Sequence, residues 1–142
     1  MVEQKHNISW KDELELHVPL MDCDHSQMLS LINDVYAAYD RHQWDASVKA
    51  AMANLSLFTV QHFNREEALM RELKYSGFMA HYKAHQKLTS VLDAITQRID
   101  HDGPAGIDDT DMVFLHKWLV KHIHGADRKL ASFCRREQVK GA

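Results

Sequence analysis

The sequence predicts an all-α protein: an up-down-up-down antiparallel four-helix bundle preceded by an irregular N-terminal arm. Three observations carry this. Apolar residues recur at spacings of three and four in four separate stretches, the period of one helix face. Breakers at Arg41-His42-Gln43-Trp44, Ser76-Gly77 and Asp102-Gly103-Pro104-Ala105-Gly106 divide those stretches. Connections this short leave consecutive helices as antiparallel neighbours.

In chain order, residues 1–21 read as the arm. Trp10, Leu14, Leu16, Val18 and Leu20 are apolar without steady helical period, and Pro19 interrupts them. Trp10 is expected to pin the arm across the bundle. The first helix should begin at Asp22 or Asp24, either of which can cap it. Its stripe is His25, Met28, Leu29, Ile32, Val35, Tyr36 and Tyr39. The second helix follows from about Asp45 with Val48, Met52, Leu55, Thr59, His62, Glu66, Leu69 and Leu73. The third runs from about Met79, with Phe78, His81, His85, Leu88, Leu92, Ile95 and Ile99 in register. The fourth carries Met112, Leu115, Leu119, His122, Ala126, Leu130 and Phe133, and a charged tail from Arg135 should fray. The chain of 142 residues reads as one domain: arm 1–21, bundle 22–134, tail 135–142.

Charge and composition narrow the function. A net charge of −3 gives no sign of a nucleic acid or an anionic membrane as partner. No apolar run approaches the ~18 residues needed to cross a bilayer, and MVEQKHNISW lacks a signal-peptide core. The cytoplasm is the expected compartment. Cys23 and Cys134 make no disulfide framework and are expected to be buried or idle thiols. Eleven histidines in 142 residues is a high count, so their placement matters.

Several of them interrupt the apolar stripes. The first helix has His25, the second His62 and Glu66, the third His81 and His85, the fourth His122. Residues four apart on an α-helix diverge by only about 40°, so each pair points one way from its helix. Burying such groups without partners costs a few kcal/mol each, and a shared transition-metal centre satisfies them together. Asp127, five residues after His122, would point about 140° away on a regular helix. Gly125 between them could allow a distortion, and spacing alone leaves Asp127 a plausible ligand and no more. His6, His17, His42, His101, His116 and His124 lie off the stripes or in loops and are expected to be solvated.

The set His25, His62-x-x-x-Glu66, His81-x-x-x-His85 and His122-x-x-x-x-Asp127 resembles the hemerythrins in order and spacing, in their single-domain bacterial form. Trp10, Asp22 three before His25, Phe63 after His62, and Trp118-Leu119 before His122 add to the likeness, which covers Trp10 to about Phe133. The resemblance implies a non-haem di-iron site that binds dioxygen reversibly. His81, His85 and His122 would ligate one iron, and His25 and His62 the other. Glu66, Asp127 and an oxo or hydroxo group would bridge the two irons. The iron with fewer protein ligands keeps a position for dioxygen, in an apolar pocket lined by Met28, Phe63, Trp118, Leu119 and Ile123. Met28 departs from the leucine common in relatives, which bears on oxygen affinity and autoxidation.

Four readings follow. The first is an oxygen carrier, store or delivery protein, serving an oxygen-consuming enzyme or a chemotaxis partner. The second is a sensor, which would need a separate output partner. The third is a di-iron enzyme acting on nitric oxide, peroxide or ferrous iron. The fourth is a non-redox metal store or a zinc site, although seven ligands exceed what tetrahedral zinc takes. A binding protein rather than an enzyme is the expectation. The ligand types alone would also admit manganese.

Overall fold

The computed structural model describes residues 14–41 and 46–141. Helix α1 spans Pro19–Asp40, α2 Ala46–Glu72, α3 Phe78–Asp102, α4 Asp109–His122 and α5 Arg128–Gly141. A 3-10 turn, Gly103–Gly106, leads into α4, and a π turn, Ile123–Asp127, joins α4 and α5 into one long rod. The result is an all-α bundle of four rods, with α1 packed on α2, α2 on α3, and α4 back on α1. Among the described residues there is no strand, and no helix is long and apolar enough to cross a membrane. Trp10 and the turn His42-Gln43-Trp44 lie outside the described residues.

Helix α1 starts three residues before the first aspartate expected to cap it. Pro19 sits in its first turn, where a fixed φ and a missing N–H cost nothing. Val18 ahead of it is extended (φ −121°, ψ 101°), as a residue before proline prefers. Neither Asp22 nor Asp24 is the cap. Asp22 instead accepts the Leu16 N–H at 2.8 Å, and the Arg135 guanidinium donates to the Leu16 carbonyl. With Leu14, Leu16 and Val18 buried, those bonds tie the end of the arm to both α1 and α5. Arg135 is therefore part of no frayed tail: its helix runs on to Gly141.

In the first three rods the middle of each stripe is buried, while Tyr39, Leu69, Leu73, Phe78 and Leu88, assigned to the same stripes, are half-buried. Met28, Ile32, Val35, Tyr36, Met52, Leu55, Leu92 and Ile95 are all buried. Each such side chain contributes roughly 1.5–3 kcal/mol on leaving water. In the fourth rod the stripe slips. Met112, Leu115 and Leu119 are buried as expected, but beyond His122 the buried positions are Ile123, Asp127, Leu130, Ala131 and Cys134. Ala126 and Phe133, assigned to the core by the period, are only half-buried. The π turn is the reason, because i→i+5 bonding adds a residue to one turn and rotates every later position. Cys134 is buried as expected, whereas Cys23 is exposed, on the side of α1 away from Met21 and His25.

At the end of the bundle formed by the close of α1 and the start of α4, polar groups pair. The Tyr36 hydroxyl donates to Met112 O and the Tyr39 hydroxyl to Asp109 Oδ1, each at 2.8 Å. Arg98 Nη2 donates to Asp111 Oδ1 at 2.8 Å. Asp108 and Asp111 form a reciprocal cap at the start of α4. Gly106 lies so close to α3 that an added Cβ would meet Arg98 O at 2.2 Å, so this turn requires glycine.

Candidate metal centre

The opposite half of the bundle holds the polar side chains that broke the stripes. His25 comes from α1, His62 and Glu66 from α2, and His81 and His85 from α3. His122 is the last residue of α4, and Asp127 closes the π turn. All seven are 9% exposed or less. Their donor atoms form two overlapping groups: His25, His62, Glu66 and Asp127, and Glu66, His81, His85, His122 and Asp127. Within each group the atoms lie within 4.8 Å of one another. Both carboxylates belong to both groups.

The π turn resolves the problem that Asp127 posed. Widening one turn returns a residue five places on to nearly the same side, and Asp127 Oδ1 lies 3.1 Å from His122 Nε2. Gly125 is not what makes room. It has no left-handed φ, and a Cβ added there would meet nothing within 4 Å.

The spacings carry chemical information. His25 Nε2 stands 2.9 Å from Asp127 Oδ2, and His62 Nε2 2.9 Å from Glu66 Oε2. His85 Nε2 lies 3.1 Å from Glu66 Oε1, and His81 Nε2 3.1 Å from both Glu66 Oε1 and Asp127 Oδ1. Despite these distances, the Nε2 atoms of His25, His62, His85 and His122 and both Asp127 oxygens lack a well-directed hydrogen bond. Each orphaned buried group costs about 1–3 kcal/mol, so such a concentration needs a cause. Two ligands bonded to one ion at about 2.1 Å and at right angles sit about 3.0 Å apart, whereas a tetrahedral pair sits about 3.4 Å apart. The 2.9–3.8 Å separations are compatible with donors shared around metal ions, and seven donors are more than one tetrahedral zinc takes.

The same proximity couples the charges. Burial opposes protonation of His25, but Asp127 and Glu66 outweigh it and lift its pKa to about 10. Burial likewise opposes protonation of His62 and His81, and neighbouring carboxylates raise each to about 9. Glu66 and Asp127 are held below the ordinary carboxylate range, because the imidazoles around them overcome the cost of burying the charge. The imidazoles and the two carboxylates thus favour one another's charged forms. A metal has to displace the protons on the imidazoles.

Two further carboxylates, which sequence reasoning did not place here, stand behind the histidines. Asp24 Oδ2 lies 2.9 Å from His62 Nδ1 and also accepts from Arg65 Nε at 2.9 Å. Burial raises the Asp24 pKa, and the bonds to His62 and Arg65 more than reverse that. Glu67 Oε2 lies 2.8 Å from His85 Nδ1, with Glu67 itself buried. Each of the two ligand groups thus contains one imidazole held from behind by a carboxylate, an arrangement that fixes ring orientation and strengthens the ligand. The sequence signal was slight: Asp24 directly precedes His25, and Glu67 directly follows Glu66, each next to a ligand other than the one it supports.

The expected apolar pocket residues divide. Phe63 stacks on His85, centroids 3.8 Å apart and planes 8° apart, and also packs against His62 and His122. Trp118 borders, with His122, a groove between α3 and α4 that opens outward. Met28, Leu119 and Ile123 are fully buried in the core. Of the other histidines, His17, His101 and His116 are exposed, His124 is half-buried, and His6 and His42 lie outside the described residues.

A family model described as "Hemerythrin HHE cation binding domain" matches residues 16–134, a span that includes all seven converging side chains. A myohemerythrin of Riftia pachyptila is 30% identical, over 84% of this chain and 88% of its own length. A bacteriohemerythrin of Stenotrophomonas maltophilia is 28% identical, over 92% and 80%. A hemerythrin-like protein of Naegleria gruberi is 33% identical, over 74% and 75%.

Proposed function

The chain belongs to the hemerythrin family, and from that premise we propose that it binds dioxygen reversibly at a pair of non-haem irons. His81, His85 and His122 would hold one iron and His25 and His62 the other, with Glu66 and Asp127, which belong to both donor groups, shared between them and an oxo or hydroxo group completing the centre. The supporting observation is that two buried carboxylates are shared between two groups of imidazoles at ligand-to-ligand distances. A ferrous pair bound in this cage would supply the electrons for reversible binding of dioxygen.

The protein's own groups do the rest. Two carboxylates offset much of the charge of the cations, and five imidazoles complete a donor set suited to iron. The group with only two imidazoles has fewer protein ligands and leaves room for a diatomic. Phe63, stacked on His85 and packed against His62 and His122, gives the cage an apolar wall that shields it from water. Asp24 and Glu67 hold the His62 and His85 rings in place from their far nitrogens. Oxygen carriage, storage, delivery or sensing in the cytoplasm is the role this chemistry serves.

The test is to load the anaerobic protein with ferrous iron, admit air, remove it, and record the visible spectrum throughout. Two irons per chain and an absorption band that rises with air and falls on its removal are expected. Irreversible conversion to the ferric form, or catalytic consumption of nitric oxide or peroxide, would overturn the carrier reading in favour of an enzyme. A protein that takes up only zinc would overturn it altogether.

A further inference from the structure

Beside the metal cage, the groove between α3 and α4 carries a lysine cluster that oxygen binding does not use. Its volume is about 560 Å³, within the ~300–1,000 Å³ typical of small-molecule sites. Leu88, Phe114 and Trp118 give it an apolar lining. Lys87, Lys117 and Lys121 also line it, all three exposed, and among the described residues no acidic one does. None of these lysines forms an ion pair with a described residue, although the protein as a whole carries a net charge of −3. The Trp118 indole N–H is buried and has no hydrogen-bond partner.

We propose that this groove binds a small amphipathic monoanion: a free carboxylic acid with an apolar acyl tail. The tail covers Leu88, Phe114 and the face of Trp118, while the carboxylate is met by the lysine cluster. Charge complementarity selects the anion, and the apolar lining selects the tail. A fully polar anion such as phosphate would leave that lining wet, and a neutral hydrocarbon would leave three cations without a counterpart. Because His122 and Trp118 border the same groove, an occupant would lie directly against the outer side of the metal cage.

The probe is dodecanoate, kept below its micelle-forming concentration and titrated calorimetrically into the full-length protein, metal-free and iron-loaded in parallel. Saturable binding at one per chain is expected, with a shift of the Trp118 indole N–H resonance in the NMR spectrum. Lys117→Glu/Lys121→Glu should weaken binding at least tenfold, and Lys117→Gln/Lys121→Gln by less. Lys49→Glu, on α2 outside the groove, should leave it unchanged, and dodecanol should bind at least tenfold more weakly than dodecanoate. Equal affinity in wild type and the charge-reversed variant would overturn the proposal, as would non-saturating uptake. Binding only to phosphatidylglycerol vesicles, with none to the free acid, would also overturn it by pointing to a membrane surface. The titration needs no iron, so its failure leaves the oxygen proposal standing, and a failure to load iron leaves this one standing.

Discussion

The two ends of the bundle treat their polar groups in opposite ways. Where α1 ends and α4 begins, the groups find protein partners: Tyr36 with Met112, Tyr39 with Asp109, Arg98 with Asp111, and Asp108 with Asp111. Around His25 and Asp127, polar atoms crowd together at 2.9–3.1 Å without well-directed hydrogen bonds. The first end is complete as a folded protein, and its one buried bond of this set, Tyr36 to Met112, is worth about 0.5–1.5 kcal/mol. The second end is complete only with something added. A fold that leaves so many buried donors and acceptors unmatched in one place has reserved that place for a ligand.

The largest contrast should come from removing a ligand. His81→Ala or Glu66→Ala is expected to abolish stoichiometric iron binding, whereas His101→Ala, on an exposed residue at the other end of α3, keeps two irons per chain; metal analysis of the purified proteins decides this. Metal itself should stabilise the fold by about 4 kcal/mol when free metal is 1,000 times its dissociation constant.

Acid and base should then separate the metal-free from the loaded protein. The raised pKa values of His25 (about 10), His62 and His81 (about 9) give stability that is complete below about pH 6.5 and disappears as pH rises through 9 to 10. The depressed Glu66 and Asp127 give stability that is present above their ordinary pKa near 4 and is lost as pH falls through their lowered values. The metal-free melting temperature should therefore fall between pH 6.5 and 10. The loaded protein should gain metal affinity over the lower part of that range, since the cation competes with the same protons. Identical pH profiles for the two forms would contradict the shared site.

A smaller effect is expected from the carboxylates behind the ligands. Asp24→Asn and Glu67→Gln should each lower metal affinity by about 10–100-fold without abolishing it, as competition with a chelator would show. An unchanged affinity in both would mean that these groups only pack. Smallest of all, Tyr36→Phe should cost about 1 kcal/mol in urea unfolding and leave iron stoichiometry intact, because its hydrogen bond belongs to the other end.

Much of this molecule could be read from residue spacing. The stripes of the first three helices, the break at Ser76-Gly77 and the turn at Gly103 to Gly106 follow from local rules that the chain obeys. So does the pairing of His62 with Glu66 and of His81 with His85, because residues one helical turn apart have little choice of direction. The start of α1 was misplaced because two aspartates looked like caps, while Pro19 was the residue that fitted the first turn. Ala126 and Phe133 were assigned to the core by a period that the π turn interrupts.

The sequence by itself determined that four amphipathic helices would form and that each would bring metal-binding side chains to its inner face, since helical period is a property of neighbours along the chain. Only the tertiary structure decided that Asp127 joins His122, that two carboxylates serve both groups of imidazoles, and that Asp24 reaches His62 across 38 positions. Those outcomes depend on how whole rods pack and on one widened turn, and no short-range rule encodes either.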